Sequence, residues 1–190
     1  MSSSPDGAAP FDAVFVCTGN RFRSPIAAAA FAAATNGRAV RVRSVGTEEI
    51  TGAPVLPEAV RLGRAYGLDL SSHRSRALAD HPLETADLVV GFEPAHVARA
   101  VVDGGARRDR SFLLIELLES LRDAEAPALT DPVERARCLI TRANERRPSS
   151  ASSLIIPDPL GDDGNFSEAA EVAQVFATRL AMLLFGPDRD

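Results

Sequence analysis

Asp12-Ala13-Val14-Phe15-Val16-Cys17-Thr18-Gly19-Asn20-Arg21-Phe22-Arg23-Ser24-Pro25 is the stretch around which the chain is organised. Val14, Phe15 and Val16 form a β-prone apolar run, the mark of a short buried strand. Ser24 is a helix-capping residue type, and Pro25 fits a first helical turn, where no N–H donor is needed. Between strand and helix lie Cys17, five residues and Arg23. A loop of that length can curl around one tetrahedral anion, its N–H groups and the helix N-terminus aimed inward. Gly19 and Asn20 are the residues that most readily take the positive φ such a curl needs. Thr18, Gly19, Asn20, Arg21, Phe22 and Arg23 are therefore the expected phosphate cradle. Arg23 brings a planar fork for two phosphate oxygens. Cys17 stands at the mouth as a nucleophile whose thiolate the same dipoles favour, and Ser24 can give that thiolate a hydroxyl hydrogen bond.

An isolated cysteine at a strand end reads as a small buried hydrophobe. The arginine, the Gly-Asn turn and the Ser-Pro helix start on the same stretch make the chemical reading the better one. The string resembles the V-C-x-G-N-x-x-R-S-P signature of the low-molecular-weight protein tyrosine phosphatases, a family that also includes thioredoxin-coupled arsenate reductases. The resemblance runs from about Phe11 to Leu184 and is densest at the loop, at Ser44–Thr47, at Gly67–Arg76 and at Pro157–Gly161.

Length and composition agree with such a fold. A chain of 190 residues, 45% apolar and 25% charged, is long enough for one domain with a real core. A net charge of −5 argues against general nucleic-acid binding. Two cysteines far apart offer neither a disulfide framework nor metal-ligand spacing, as expected of a cytoplasmic protein. Residues 1–10 read as a loose polar tail without a signal-peptide pattern, and 11–187 as the folded domain. No apolar run is long enough to insert in a membrane.

Helical patterns alternate with short apolar runs, which argues an α/β fold with helices on both faces of a parallel sheet. Helices are expected over Ser24 to Asn36, Pro57 to Tyr66 and Glu93 to Val102, and strands over Val40 to Val45 and Ala86 to Phe92. Ser111 to Leu117 reads as a fourth strand, turning helical toward Leu121. Asp131-Pro132-x-Glu134 starts a helix that holds Cys138, in a structural role, and Asn165 with Glu168 marks the start of the last helix. Val172, Phe176, Leu180 and Leu183 form its expected buried stripe. Arg41 and Arg43 read as solvated or edge-facing, and Arg74 and Arg76 as solvated charges. His81 and His96, with no evident partner, read as surface residues.

The resemblance adds roles that spacing alone does not supply. It implies a single-domain, four-stranded parallel sheet. His73 matches a family histidine that supports the loop asparagine, here Asn20. Asp158, between Pro157 and Pro159, matches the catalytic acid of an Asp-Pro pair. Cys17 would attack phosphorus, Arg23 neutralise the phosphate, and Asp158 protonate the leaving oxygen and later activate water. The implied substrate is a phosphorylated protein, with phosphotyrosine favoured. Neither cofactor nor metal is required, because the loop supplies the electrostatics. Departures from the family pattern bear on specificity: Phe22 stands where many members carry a second cysteine, Arg21 where the residue is usually apolar or small, and Leu160 where a tyrosine often follows Asp-Pro. Phosphoarginine is the alternative substrate. A non-catalytic phosphate-binding module would lack the nucleophile or the acid, and an arsenate reductase would need relay cysteines beyond Cys138.

Overall fold

The computed structural model describes residues 9–125, 127–147, 155–160 and 165–186. Residues 1–8 of the expected tail, most of the Pro/Ser-rich loop at 147–153, Gly161 and Pro187 lie outside them. The strands are β1 (Phe11–Cys17), β2 (Val40–Gly46), β3 (Leu88–Gly91) and β4 (Ser111–Leu113). The helices are α1 (Arg23–Ala34), α2 (Pro57–Ala65), α3 (Pro94–Val102), α4 (Leu114–Leu121), α5 (Pro132–Glu145) and α6 (Phe166–Phe185).

The four strands pair in parallel in the order β2-β1-β3-β4. The chain leaves β1 toward β2 on one side, then crosses to β3 on the other. That reversal opens a crevice above the C-terminal ends of β1 and β3, where open α/β sheets bind ligands. The β1 loop starts there at Cys17, level with Gly46 of β2, while Val16 is level with Gly91 of β3.

Every residue of β1 is buried, as a central parallel strand requires. Phe11, Ala13, Phe15 and Cys17 face a large core shared with α1, α5 and α6. Val14 and Val16 face a smaller one with Val89, Leu83 and Ala100. The alanine-rich α1 lies against α6, whose own buried face is largely Ala170, Ala173, Ala177 and Ala181. Small side chains on both helices let the backbones approach closely. This corrects the expected α6 stripe: Leu180 is buried, but Val172, Phe176 and Leu183 are only partly so.

The fourth strand is also shorter than expected. It ends at Leu113, and Leu114 to Leu121 is helical. Leu114, Leu117, Leu118 and Leu121 recur at helical spacing and bury together, and Glu116 reaches back to accept the Leu113 N–H at 3.1 Å. Helical periodicity with that local cap outweighs the apolar run. The caps at Asp131 and Asn165 form as the sequence suggests, each accepting two N–H bonds from the following turn.

At the opposite end of the sheet Asp12 is 1% exposed. Arg41 and Arg43 are not simply solvated: both donate to its carboxylate, Arg43 at 2.9 Å. Burial pushes the Asp12 carboxyl up, but the hydrogen bonds from Arg43 and Arg41 outweigh it and hold the group below its ordinary value.

Candidate active site

The loop from Cys17 to Arg23 closes around its own N–H groups because its carbonyls are tied outward. The Cys17 and Thr18 carbonyls accept from Thr47 and Glu48 N–H, each at 3.0 Å, and the Arg21 carbonyl from Leu56 N–H at 2.9 Å. The His73 ring binds the Asn20 carbonyl through Nε2 at 3.1 Å. In a trans peptide the N–H points opposite to the carbonyl it adjoins, and no peptide bond among the described residues is cis. The N–H groups of Thr18, Gly19, Arg21 and Phe22 are thus turned inward.

Asn20 takes the strained position, with φ of +51°. Its side chain holds it there. Oδ1 accepts the Arg76 N–H at 2.9 Å, which fixes the amide orientation, and Nδ2 donates to both Ser24 and Ser44 at 2.8 Å. His73 therefore supports Asn20 as expected, through the backbone carbonyl. Gly46 backs the loop: a Cβ there would lie 2.7 Å from the Thr18 carbonyl oxygen and 3.0 Å from the Asn20 nitrogen.

Ser24 departs from its expected place. It sits inside the first turn of α1, whose N-cap is Phe22 without a side-chain cap. Its hydroxyl accepts from Asn20 and lies 3.0 Å from the Cys17 sulfur, so its proton is free to point at the sulfur. A cap would have spent that hydroxyl on backbone. The Phe22 ring is buried edge-on to Phe166 of α6, centroids 5.0 Å apart. Arg21 Nε donates to the Pro54 carbonyl at 2.8 Å, turning its guanidinium along the cleft wall.

Arg23 is 1% exposed, and its guanidinium is held on every side. NH1 binds Glu93 and, at 2.9 Å, the Ile156 carbonyl. NH2 binds Thr18 Oγ1 at 3.1 Å and Asp158 Oδ2 at 2.5 Å. Asp158 is thus brought to the site from the far end of the chain, anchored through the Ile156 carbonyl and through the Ile156 N–H on the Phe92 carbonyl at 3.1 Å. Cys17, Thr18, Gly19, Arg21, Phe22, Arg23 and Asp158 line one cleft of about 250 Å³. Its outer wall is Glu48, Ile50, Leu56 and Leu160, the last 69% exposed. Among the described residues, these four outer-wall side chains include no aromatic ring.

Two site residues escape a reading by motif. Glu93 pairs with Arg23, and His96 is buried at 2% exposure, not on the surface. Its Nε2 lies 3.1 Å from Thr18 Oγ1 and its Nδ1 accepts the Glu93 N–H at 3.1 Å. Burial, then the Arg23 charge, push the His96 pKa down to about 4, so the ring is neutral. Burial likewise lowers the His73 pKa, against the pull of its Asn20 hydrogen bond. The signal for both missed residues was topological: Phe92-Glu93 follows the strand beside β1, at the mouth of the crevice. Among the described residues, no cluster of His, Cys, Asp and Glu could hold a metal ion. No described helix is long and apolar enough to cross a membrane.

The family model described as low molecular weight phosphotyrosine protein phosphatase matches residues 12–145. The chain belongs to this family. Membership makes it a phosphatase of the hydrolase class. It is 31% identical to the low molecular weight protein-tyrosine-phosphatase of Streptomyces coelicolor over 176 residues, 87% of this chain and 88% of that protein. It is 36% identical to the protein-arginine-phosphatase of Bacillus subtilis over 107 residues, 55% of this chain and 71% of that protein. A crystal structure of a YwlE mutant from Bacillus subtilis superposes with a TM-score of 0.62 at 25% identity, over 90% of this chain and 96% of the other.

Proposed function

We propose that the protein dephosphorylates phosphotyrosine in protein substrates through a phosphocysteine intermediate. The observation that carries this reading is the meeting of the Cys17 thiol, the buried Arg23 guanidinium and the Asp158 carboxyl in one cleft lined by inward N–H groups. A phosphate dianion repels an approaching thiolate, and Arg23 with the loop N–H groups offsets that repulsion. The sulfur attacks phosphorus, an S–P bond forms and the bond to the leaving oxygen breaks. A bound phosphate takes over the Arg23 N–H that Asp158 holds; freed from the cation, the Asp158 carboxylate takes a proton from solvent and passes it to the leaving oxygen. In the second half Asp158 takes a proton from water, the water oxygen bonds phosphorus, and phosphate leaves with the thiolate restored.

One feature favours phosphoarginine as a second substrate. The Glu48 carboxylate lines the cleft wall, where it would pair with a guanidinium, and beside it the wall offers a tyrosyl ring the aliphatic faces of Ile50, Leu56 and Leu160. The B. subtilis relative named protein-arginine-phosphatase supports that alternative.

The test is phosphate release from matched phosphotyrosine, phosphoarginine and phosphoserine peptides. We expect phosphotyrosine to give the highest kcat/KM, phosphoarginine the next, and phosphoserine the lowest. Phosphoarginine ahead of phosphotyrosine, with the order reversed in Glu48→Gln, would establish the second reading. No turnover of any of the three would refute both.

A further inference from the structure

His96 stands apart from the three groups of the proposed chemistry, yet its ring is built into their support. It occupies the third position of α3. There Nδ1 accepts the N–H of Glu93, the residue that precedes the helix, at 3.1 Å, in the manner of the acceptor half of a capping box. An Nδ1 that accepts carries no proton, so in the neutral ring the proton is on Nε2. Nε2 therefore donates to Thr18 Oγ1, 3.1 Å away. The same oxygen accepts from Arg23 NH2 at 3.1 Å.

A threonine hydroxyl has two acceptor lone pairs and one proton. With both lone pairs taken by His96 and Arg23, the proton must point away from both donors. Thr18 itself lines the phosphate cleft.

We infer that His96 is a positioning residue: through Thr18 it orients the Arg23 guanidinium and commits the Thr18 hydroxyl as an additional donor to the bound phosphate. The inference rests on the phosphate-cleft reading above, but it concerns binding and not turnover. The fold makes room for it. Gly91 ends β3 beneath α3, and a Cβ there would lie 3.0 Å from the His96 Cβ and 2.9 Å from Val97 Cγ2. A larger residue would lift the helix and draw the ring off Thr18. The charged groups that act on the ring are Arg23 from α1, Glu93 from the strand end and Asp158 from the acid loop. The cation disfavours a second proton and the acids favour it, and burial adds to the cation's side. A neutral donor is retained across the neutral range.

His96→Asn separates the two jobs of the ring. Its amide oxygen takes the place of Nδ1 and keeps the cap, but its side chain is too short to reach Thr18. The measurement is the Kd of inorganic phosphate by calorimetry, for the unmutated protein, His96→Asn, Thr18→Val and the double variant, with thermal melting alongside. A lost hydrogen bond to a charged ligand weakens binding by about tenfold or more. We expect the phosphate Kd to rise by about tenfold in each single variant, the double to be no weaker than Thr18→Val alone, and the His96→Asn melt to stay near the unmutated one. Unchanged phosphate affinity in a folded His96→Asn, or losses in the double that multiply, would overturn the inference. Should His96→Asn fail to fold, Thr18→Val carries the same test through the ring itself. In the unmutated protein ring-nitrogen NMR should show an Nε2–H tautomer whose Nε2 shift moves on Thr18→Val, and a protonated Nδ1 at neutral pH would refute the assignment. If phosphate binds as described while no phosphomonoester is hydrolysed, the proposed catalysis fails and the His96 assignment stands.

Discussion

The two ends of the sheet bury opposite charges, and they do so for different purposes. Above the C-terminal ends of β1 and β3 a guanidinium, Arg23, is buried and carboxylates stand around it: Glu93 and Asp158, 28% and 33% exposed. Below the N-terminal ends a carboxylate, Asp12, is buried and arginines stand around it, with Arg41 largely exposed. Both arrangements offset the desolvation of the buried ion. They differ in what can replace the partners. Asp12 is held by two strand residues of β2 and joins β2 to β1, so its partners are part of the sheet. Asp158 comes on a loop, and under the proposed mechanism its place on Arg23 passes to a phosphate oxygen. The comparison teaches that a buried charge becomes a binding site when one of its counter-ions is able to leave.

The most drastic way to test the upper end is to remove the sulfur and keep the cation. Cys17→Ser should abolish turnover while phosphate still binds, because Arg23 and the loop remain. Substantial residual hydrolysis would place the nucleophile elsewhere.

Removing the counter-ion carried on the loop should cost less. General acids typically contribute about 10²–10⁴-fold. Asp158→Ala should slow the pre-steady-state burst on a phosphotyrosine peptide within that range, since a tyrosyl oxygen with a pKa of about 10 leaves poorly without a proton. Nitrophenyl phosphate, with a better leaving group, should lose distinctly less. Equal losses on both would mean that Asp158 does not protonate the leaving group.

Acid separates the two ends by pH. Because the folded His96 pKa is near 4 against an ordinary 6.5, the unfolded chain binds the proton first as pH falls. Stability is full above about 6.5 and declines toward about 4, by an amount on the order of 3 kcal/mol at 1.36 kcal/mol per unit. Denaturant titrations of the unmutated protein and His96→Asn should differ in slope across this window. Parallel curves would show that the ring takes its proton as readily folded as unfolded. Asp12, lowered from 3.8, adds stability that is present above that value and lost only below it.

The smallest effect belongs to the lower end. Asp12→Asn keeps the shape but removes the charge that Arg41 and Arg43 share, at a cost of about 1–3 kcal/mol. Urea unfolding should show that loss with kcat unchanged. A fall in kcat of the folded variant would mean that the two ends of β1 are coupled.

Some of the molecule is a matter of local chemistry. The run Val14–Val16, the Gly19-Asn20 turn and the Pro25 helix start determine a strand, a left-handed residue and a helix over a few consecutive positions, while the outward turn of the loop carbonyls waits on Thr47, Glu48, Leu56 and His73. The caps at Asp131 and Asn165 are local in the same sense, each acting within three residues. Where two local signals competed, apolar content carried the strand too far: Leu114–Leu117 looked like its continuation, and helical spacing with the Glu116 cap starts the helix at Leu114. Other properties depend on which elements come together. That α6 turns its alanines to α1 follows from the close approach of two small-residue faces, not from the positions of its largest apolar side chains. Ser24 is the local exception: its hydroxyl meets the Cys17 sulfur as its place in the string suggests, and it does not cap α1 because Asn20, in the same loop, donates to it. His96 looks like a surface residue, and Glu93 like no more than a helix start, until β3 is placed beside β1, and then they become the support of Arg23. Residue 23, the neighbouring pair 93 and 96, and residue 158 lie far apart along the chain. Only the parallel order of the sheet, which gathers the ends of β1 and β3 at one crevice, makes them neighbours.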